Sequence, residues 1–377
     1  MEDSTFFLLM ACVLTLIFAF TISGRHNSRL PPGPYPLPII GNLLKIGDKP
    51  HRSLAILSKR YGPLMSLTLG SQTTIVISSP ETAKEFFHTH DISFSSRSIP
   101  DTVRAADHHK FSMVWLPVDH QWRKLRKLTK EYVFSVQQLD ASELLRREKV
   151  QEFLNHVNRC HRDEEAVNIG ASAFTTTLNI LSNFMFSMDF AQYDSVSSQE
   201  FKDAVCGLMT LGGKPNLPDF FPILKSLDLQ GLRREGSVYA NKLLSIFDKV
   251  INDRLQTRSY DGVSTTNNKD VLELLLNLNQ KDESEFSRND IRHLFLALFI
   301  AGTDTTSITL EWAMAQLMRN PEKMEIARML HVMLGSLIHK FDWTVAGNTR
   351  PNDIDMGEKF GITLQKNVPL MAIPMKL

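Results

Sequence analysis

The sequence predicts a mainly α-helical body with a small β-sheet region near its amino end, preceded by one transmembrane helix. Three observations point there. Ser4 to Gly24 is an uncharged apolar run, long enough to cross a hydrocarbon core as a helix. Leu64–Leu69 and Thr73–Ser78 are β-rich runs joined by Gly70-Ser-Gln72, a hairpin signal. From about Gln121 onward the apolar periodicity is helical, with segments near 121–130, 140–160, 170–187, 198–210, 235–257, 268–279 and 287–319.

Residues 1–24 are expected to be a membrane anchor. Glu2 and Asp3 precede the apolar run and Arg25, His26 and Arg29 follow it, which places the rest of the chain on the cytosolic side. A cleaved signal peptide would want a basic start and a small-x-small site, and Ala19-Phe-Thr21 matches that poorly. Residues 25–40 form a Pro-rich linker. Its Leu30-Pro-Pro-Gly-Pro-Tyr-Pro-Leu-Pro38 run cannot be helical, because proline lacks an N–H and pushes the preceding residue to extended geometry. A stiff spacer between membrane and body is expected.

His51 to Lys59 reads as a helix that Tyr61-Gly-Pro63 ends. After the hairpin, Ser79 is placed to cap a helix, with Pro80 at its first position and Glu81 at its positive dipole end. The last long helix opens on Ser287 and Asp290, a capping box with Asp in place of Glu or Gln. Leu294 to Ala301 is apolar on every face and should be buried all round; it is too short to span a bilayer before Asp304. Asn320-Pro321 ends that helix.

Charge excludes a nucleic-acid partner: 42 basic residues face 41 acidic ones, for a net charge of +1. The basic run Trp122 to Lys130 reads as a solvated helix face. The three cysteines, Cys12, Cys160 and Cys206, show no Cys-x-x-Cys spacing, so neither a zinc site nor a disulfide framework is expected. The 23 Phe and 15 Met suit a packed core and also an apolar pocket.

Ala301-Gly-Thr-Asp-Thr-Thr-Ser307 interrupts the apolar run with residues of low helix propensity. Its hydroxyls can bond back to carbonyls one turn earlier, and its carboxylate needs a partner if buried. From the residues alone, the stretch is either a helix end or a weakened turn beside a ligand cavity, with Asp304 and Thr305 handling protons. Gly207 to Lys214 is only faintly like a phosphate loop, since Pro215 stands where Ser or Thr is needed.

The order of these features resembles one family. An uncharged anchor, Pro31-Pro-Gly-Pro34, a small hairpin, Trp122-x-x-x-Arg126 and Ala301-Gly-x-Asp-Thr305 is the layout of plant microsomal cytochromes P450, the haem-thiolate monooxygenases. The wording of Asn216 to Pro222 and of Leu310 to Met314 is similar to members that hydroxylate geraniol and related terpenoids. The resemblance implies a cytochrome P450-like fold at the endoplasmic reticulum membrane, a haem cofactor, a membrane-bound NADPH-dependent reductase as partner, and hydroxylation of small apolar substrates. By the same resemblance Trp122 and Arg126 would meet a haem propionate, and Ala301 and Gly302 would lie against the cofactor, Gly302 leaving room for dioxygen. Asp304 and Thr305 would relay protons. Substrate would touch Ile300, Ala301 and Ile362, together with the segments Ile99 to Trp115, Cys206 to Leu211 and Ile362 to Leu364.

The chain departs from that family after the long helix. The family's Glu-x-x-Arg helix, its Pro-and-Arg-rich loop and its cysteine loop are not found, and no cysteine occurs after Cys206. Glu143-Leu-Leu-Arg146 comes too early, and Glu325-Ile-Ala-Arg328 has no Pro-and-Arg-rich loop after it. Residues 41–325 resemble the amino-terminal and central part of the domain and 326–377 its carboxyl tail, so the expected fold is incomplete by a piece of domain size, roughly 100 residues. His88, His90, His108 and His109 do not resemble a proximal ligand, and no metal ligand is assigned. The resemblance therefore implies a terpenoid monooxygenase, while the missing loop implies an inactive, membrane-tethered product.

Overall fold

A computed structural model describes Met10, Thr15 and residues 30–193, 196–260, 270–281, 286–320, 323 and 332–376. The anchor over 1–24, apart from two residues, and the junction at 325–326 lie outside them. The chain forms two compact units, Met1–Ser96 with Pro215–Gly231, and Arg97–Lys214 with Leu232–Leu377.

In the first unit β1 (Leu64–Leu69) and β2 (Gln72–Ile77) form the expected antiparallel hairpin, with Leu64 opposite Ile77. Alternation turns Met65 and Leu67 inward, where they are fully buried. The flanking helices are α1 (Pro50–Tyr61) and α2 (Pro80–Thr89). Ser79 caps α2, its Oγ accepting from the Thr82 N–H at 3.2 Å. The proline segment is not a free spacer. Its carbonyls still accept, and β1 uses them: the Ser66 N–H donates to Pro32 O at 2.9 Å and the Ser66 hydroxyl to Pro31 O at 2.7 Å. Gly33 is required there, because a Cβ would collide with the Ser66 carbonyl.

The second unit is helical: α3 (His120–Leu128), α4 (Glu143–Arg162), α5 (Ile169–Phe186), α6 (Val196–Gly213), α7 (Leu232–Tyr260), α8 (Val271–Lys281), α9 (Arg288–Arg319) and α10 (Val332–Lys340). Each helix through α9 falls within a few residues of its expected span. Strands for which the sequence offered no pattern are β3 (Val167–Asn168), between α4 and α5, and in the tail β4 (Phe341–Val345), β5 (Glu358–Lys359), β6 (Gln365–Lys366) and β7 (Met371–Lys376). They pair as an antiparallel β3-β7-β4 sheet and a β5-β6 hairpin.

Two apolar cores hold this unit. One is aromatic, built on Phe186, Phe247, Phe295 and Phe299, with ring centroids 4.7 to 6.1 Å apart. The other joins α4, the second half of α9, α10 and the sheet through Phe153, Val157, Met314, Leu337 and Phe341. The α9 capping box is present as expected, Ser287 and Asp290 bonding reciprocally. The helix then runs unbroken through Ala301 to Ser307, which sets aside the helix-end alternative. Its hydroxyls do bond back, Thr303 to Phe299 O and Thr305 to Ala301 O at 2.6 and 2.7 Å. α9 is long and apolar enough to cross a bilayer, yet 56% of its most apolar window is buried within the protein, as in a core helix.

Candidate functional site

α9 lines two chemically different spaces along its length. One stripe at helical spacing, Ala297, Ile300, Ala301 and Thr305, lines a cavity of about 430 Å³. That volume lies within the roughly 300–1,000 Å³ of small-molecule pockets. The remaining wall comes from a tight helical turn at Asp101–Lys110, from Val114 and Trp115, from α6 through Leu208, Met209 and Leu211, from α7, and from Ile362 and Thr363. The four segments named from sequence as substrate-contacting thus meet around one space. Leu294 to Phe299 is largely buried as expected, but Ala301 is exposed toward this space, so the apolar run is not covered on all sides.

Further along the helix, Asp304, Ser307, Ile308 and Glu311 line a polar pocket of about 100 Å³ shared with Lys202, Cys206, Gln365 and Lys366. Asp304 is 1% exposed. Its Oδ2 accepts from the Thr363 hydroxyl, and its Oδ1 from Gln365 Nε2 at 3.4 Å and Cys206 Sγ at 3.9 Å. Burial pushes its carboxyl above the ordinary carboxylate range, against the pull of those donors. Burial raises Glu311 in the same way, although the Leu370 N–H donates to it at 2.8 Å. Desolvation pulls Lys366 down. Asp304 and Thr305 are therefore not a side-chain pair here: adjacent on the helix, they leave it about 100° apart, and the Thr305 hydroxyl is spent on Ala301 O.

The other expected positions divide. Ile300, Ala301 and Ile362 share the cavity wall. Gly302 does not reach it; a Cβ there would come within 2.7 Å of Leu181 Cδ1, so its small size serves the close packing of α9 on α5. Trp122 and Arg126 sit one turn apart on α3, but the Trp122 indole N–H donates to Met113 O at 3.0 Å, and Arg126 is exposed with no partner among the described residues. Cys160 is packed in the second core and Cys206 lines the polar pocket, so neither reaches the cavity wall. Burial, aided by Asp304, pushes the Cys206 thiol up to about 11. Cys12 lies outside the described residues.

Sequence reasoning did not pair His108 with His293, or Thr363 with Asp304. His293 carried one usable signal: it stands four residues before Ala297 and eight before Ala301, on the stripe that faces the cavity.

The sequence matches a known family over most of its length. The cytochrome P450 model aligns with residues 31–328, and the chain belongs to that family. Plant proteins are among its relatives. Cytochrome P450 76T24 of Catharanthus roseus is 39% identical over 476 aligned positions that take in 94% of this chain and 95% of that protein. Geraniol 8-hydroxylase of the same plant is 36% identical over 497 positions, covering 100% of both chains. Inactive cytochrome P450 76AD1 of Beta vulgaris is 48% identical over 306 positions, 81% of this chain and 73% of that protein. Because 497 aligned positions cover a chain of 377 residues, at least 120 of them face no residue here.

Proposed function

We propose that this chain binds small apolar molecules of terpenoid size in the cavity beside α9 and does not carry out oxygen insertion. The observation that carries this is a complete cavity beside cysteines that serve other places in the fold. Haem is the family's cofactor, and it supplies oxygen chemistry when its iron carries an axial thiolate. The described residues do not fit that group. Cys206 is held as a thiol by burial, Cys160 is fixed among core side chains, and the Trp122 N–H is already committed. The 120 or more unmatched positions support an internal gap near residues 325–326, where the family's cysteine loop would follow. The uncharged run at Ser4 to Gly24 supports tethering to the endoplasmic reticulum membrane, with the body cytosolic.

The test is spectroscopic. The full chain is purified from cells fed a haem precursor, reduced and exposed to carbon monoxide beside geraniol 8-hydroxylase of Catharanthus roseus prepared in the same way. No thiolate-type absorbance shift is expected from this chain. A thiolate spectrum together with NADPH- and reductase-dependent oxidation of a terpene alcohol overturns the proposal.

A second reading has its own support. Coverage of a geraniol 8-hydroxylase from end to end favours a longer product of the same gene as the monooxygenase, with this chain as its shortened form. Sequencing transcripts across codons 320 to 335 decides it. A dominant message carrying a cysteine loop supports this reading; a message identical to the present sequence refutes it.

A further inference from the structure

One polar device on the cavity wall is unused by anything described so far. His108 lines the cavity, and its Nδ1 lies 3.0 Å from Nδ1 of His293, which is buried on α9. The backbone is bent to put it there. Ala106 and Asp107 both adopt left-handed conformations, with φ of 51° and 57°, which side-chain-bearing residues rarely take in succession. An Asp107–Lys110 ion pair at 2.9 Å closes the same turn. The Phe111 ring stacks on His293 at 5.0 Å and 11°, fixing the second imidazole.

A hydrogen bond between two Nδ1 atoms requires one to carry the proton and the other to offer its lone pair. Burial lowers His108 to about 3 and, with Arg292 and against Asp290, Asp107 and Asp248, His293 to about 4, so both rings are neutral near pH 7 and the bond is of this kind. The exchangeable proton sets the free nitrogen of His108. If its Nδ1 donates, Nε2 accepts; if its Nδ1 accepts, Nε2–H donates. The hydroxyls of Thr305 and Thr363 on the same wall lack this freedom, since both already donate, to Ala301 O and to Asp304.

We propose that His108, set by its bond to His293, is the group that selects a hydroxyl-bearing ligand in this otherwise apolar cavity. A hydroxyl both donates and accepts through one atom, and so meets either tautomer of the pair. The predicted ligand is a small apolar alcohol, with its carbon skeleton against residues such as Leu208, Met209, Leu296 and Ile362. This rests on the cavity-binding function proposed above and names the ligand class for it.

The test uses the full chain in detergent, without haem. The probes are geraniol and the hydrocarbon of the same skeleton, and binding is followed by tryptophan fluorescence, since Trp115 stands on the wall. His108→Phe is expected to weaken geraniol binding relative to hydrocarbon binding about tenfold, the size of one net hydrogen bond. His108→Gln, which keeps a donor and an acceptor, is expected to restore most of the loss. Histidine ¹⁵N resonances of the unmutated chain provide the second measurement: geraniol moves an Nε2 signal and the hydrocarbon does not. Equal losses for both probes in His108→Phe, or histidine signals indifferent to geraniol, overturn the inference while hydrocarbon binding leaves the cavity function standing. If neither probe binds, the cavity function falls and the inference with it.

Discussion

Replacing Asp304 separates the effect of burying its charge from the effect of losing its hydrogen bonds. The side chain is 1% exposed and accepts from Thr363, Gln365 and Cys206. Burial raises its carboxyl above 3.8, the ordinary value. The folded chain therefore keeps a proton that the unfolded chain releases once pH passes that value. Stability falls as pH rises from there until the folded group also ionises, and is level above that. Asp304→Asn has the same size and no charge at any pH. Its stability relative to the original chain should thus climb between a pH near 3.8 and one above the titration of the folded group. Asp304→Ala instead removes the acceptor of a half-buried hydroxyl and should cost about 1–3 kcal/mol at both. Urea unfolding of the detergent-solubilised full chain, followed by far-ultraviolet circular dichroism, gives the midpoints. If the Asn variant keeps the same offset from the original chain at both pH values, burial is not what governs this carboxyl.

Two further outcomes follow from the packing. Arg254 is one-tenth exposed and bonds Asp270 through both guanidinium nitrogens at 3.0 and 2.8 Å, with Glu273 at 3.3 Å. Arg254→Ala leaves Asp270 buried without its cation and should cost about 3–5 kcal/mol, read as a lowered urea midpoint. Gly302→Ala should be close to neutral, because the Leu181 methyl that its Cβ meets can turn aside and the helix gains propensity; Gly302→Val should cost about 1–3 kcal/mol by overpacking, and equal stability of the two would argue against close helix contact there.

Much of the helical frame was legible because its signals are local. The capping residues Ser79 and Ser287 and the 3.6-residue apolar periods each act within a turn or two, and the structure places them where the sequence does. The cavity wall was legible in outline, but through resemblance rather than through periodicity. What escaped depends on long-range pairing. β4 and β7 are separated by 25 residues and β7 contains Pro374, which suits an edge or a sharply limited strand and masks the alternation. The His108–His293 bond spans 185 positions and needs a left-handed turn at residues that do not advertise one. Likewise, Asp304 and Thr305 look like a pair in sequence because they are adjacent, and adjacency on a helix is what parts their side chains.

The polar face of α9 also bears on how the tail stays folded. Five contacts join α9 to residues beyond 354, all within one unit: Thr363 and Gln365 on Asp304, the Leu370 N–H on Glu311, the Trp312 indole N–H on Leu364 O at 2.8 Å, and Lys366 over the Trp312 ring at 5.0 Å. Leu337, Phe341 and Trp343 add apolar contact with the second half of the same helix. The tail is therefore anchored on α9. Such docking turns Asp304 into a staple: a carboxyl committed to Thr363, Gln365 and Cys206 is poorly free to carry protons toward Thr305. It also brings Ile362 and Thr363 onto the cavity wall. The proposed binding function thus rests on cavity walls that the described residues themselves supply.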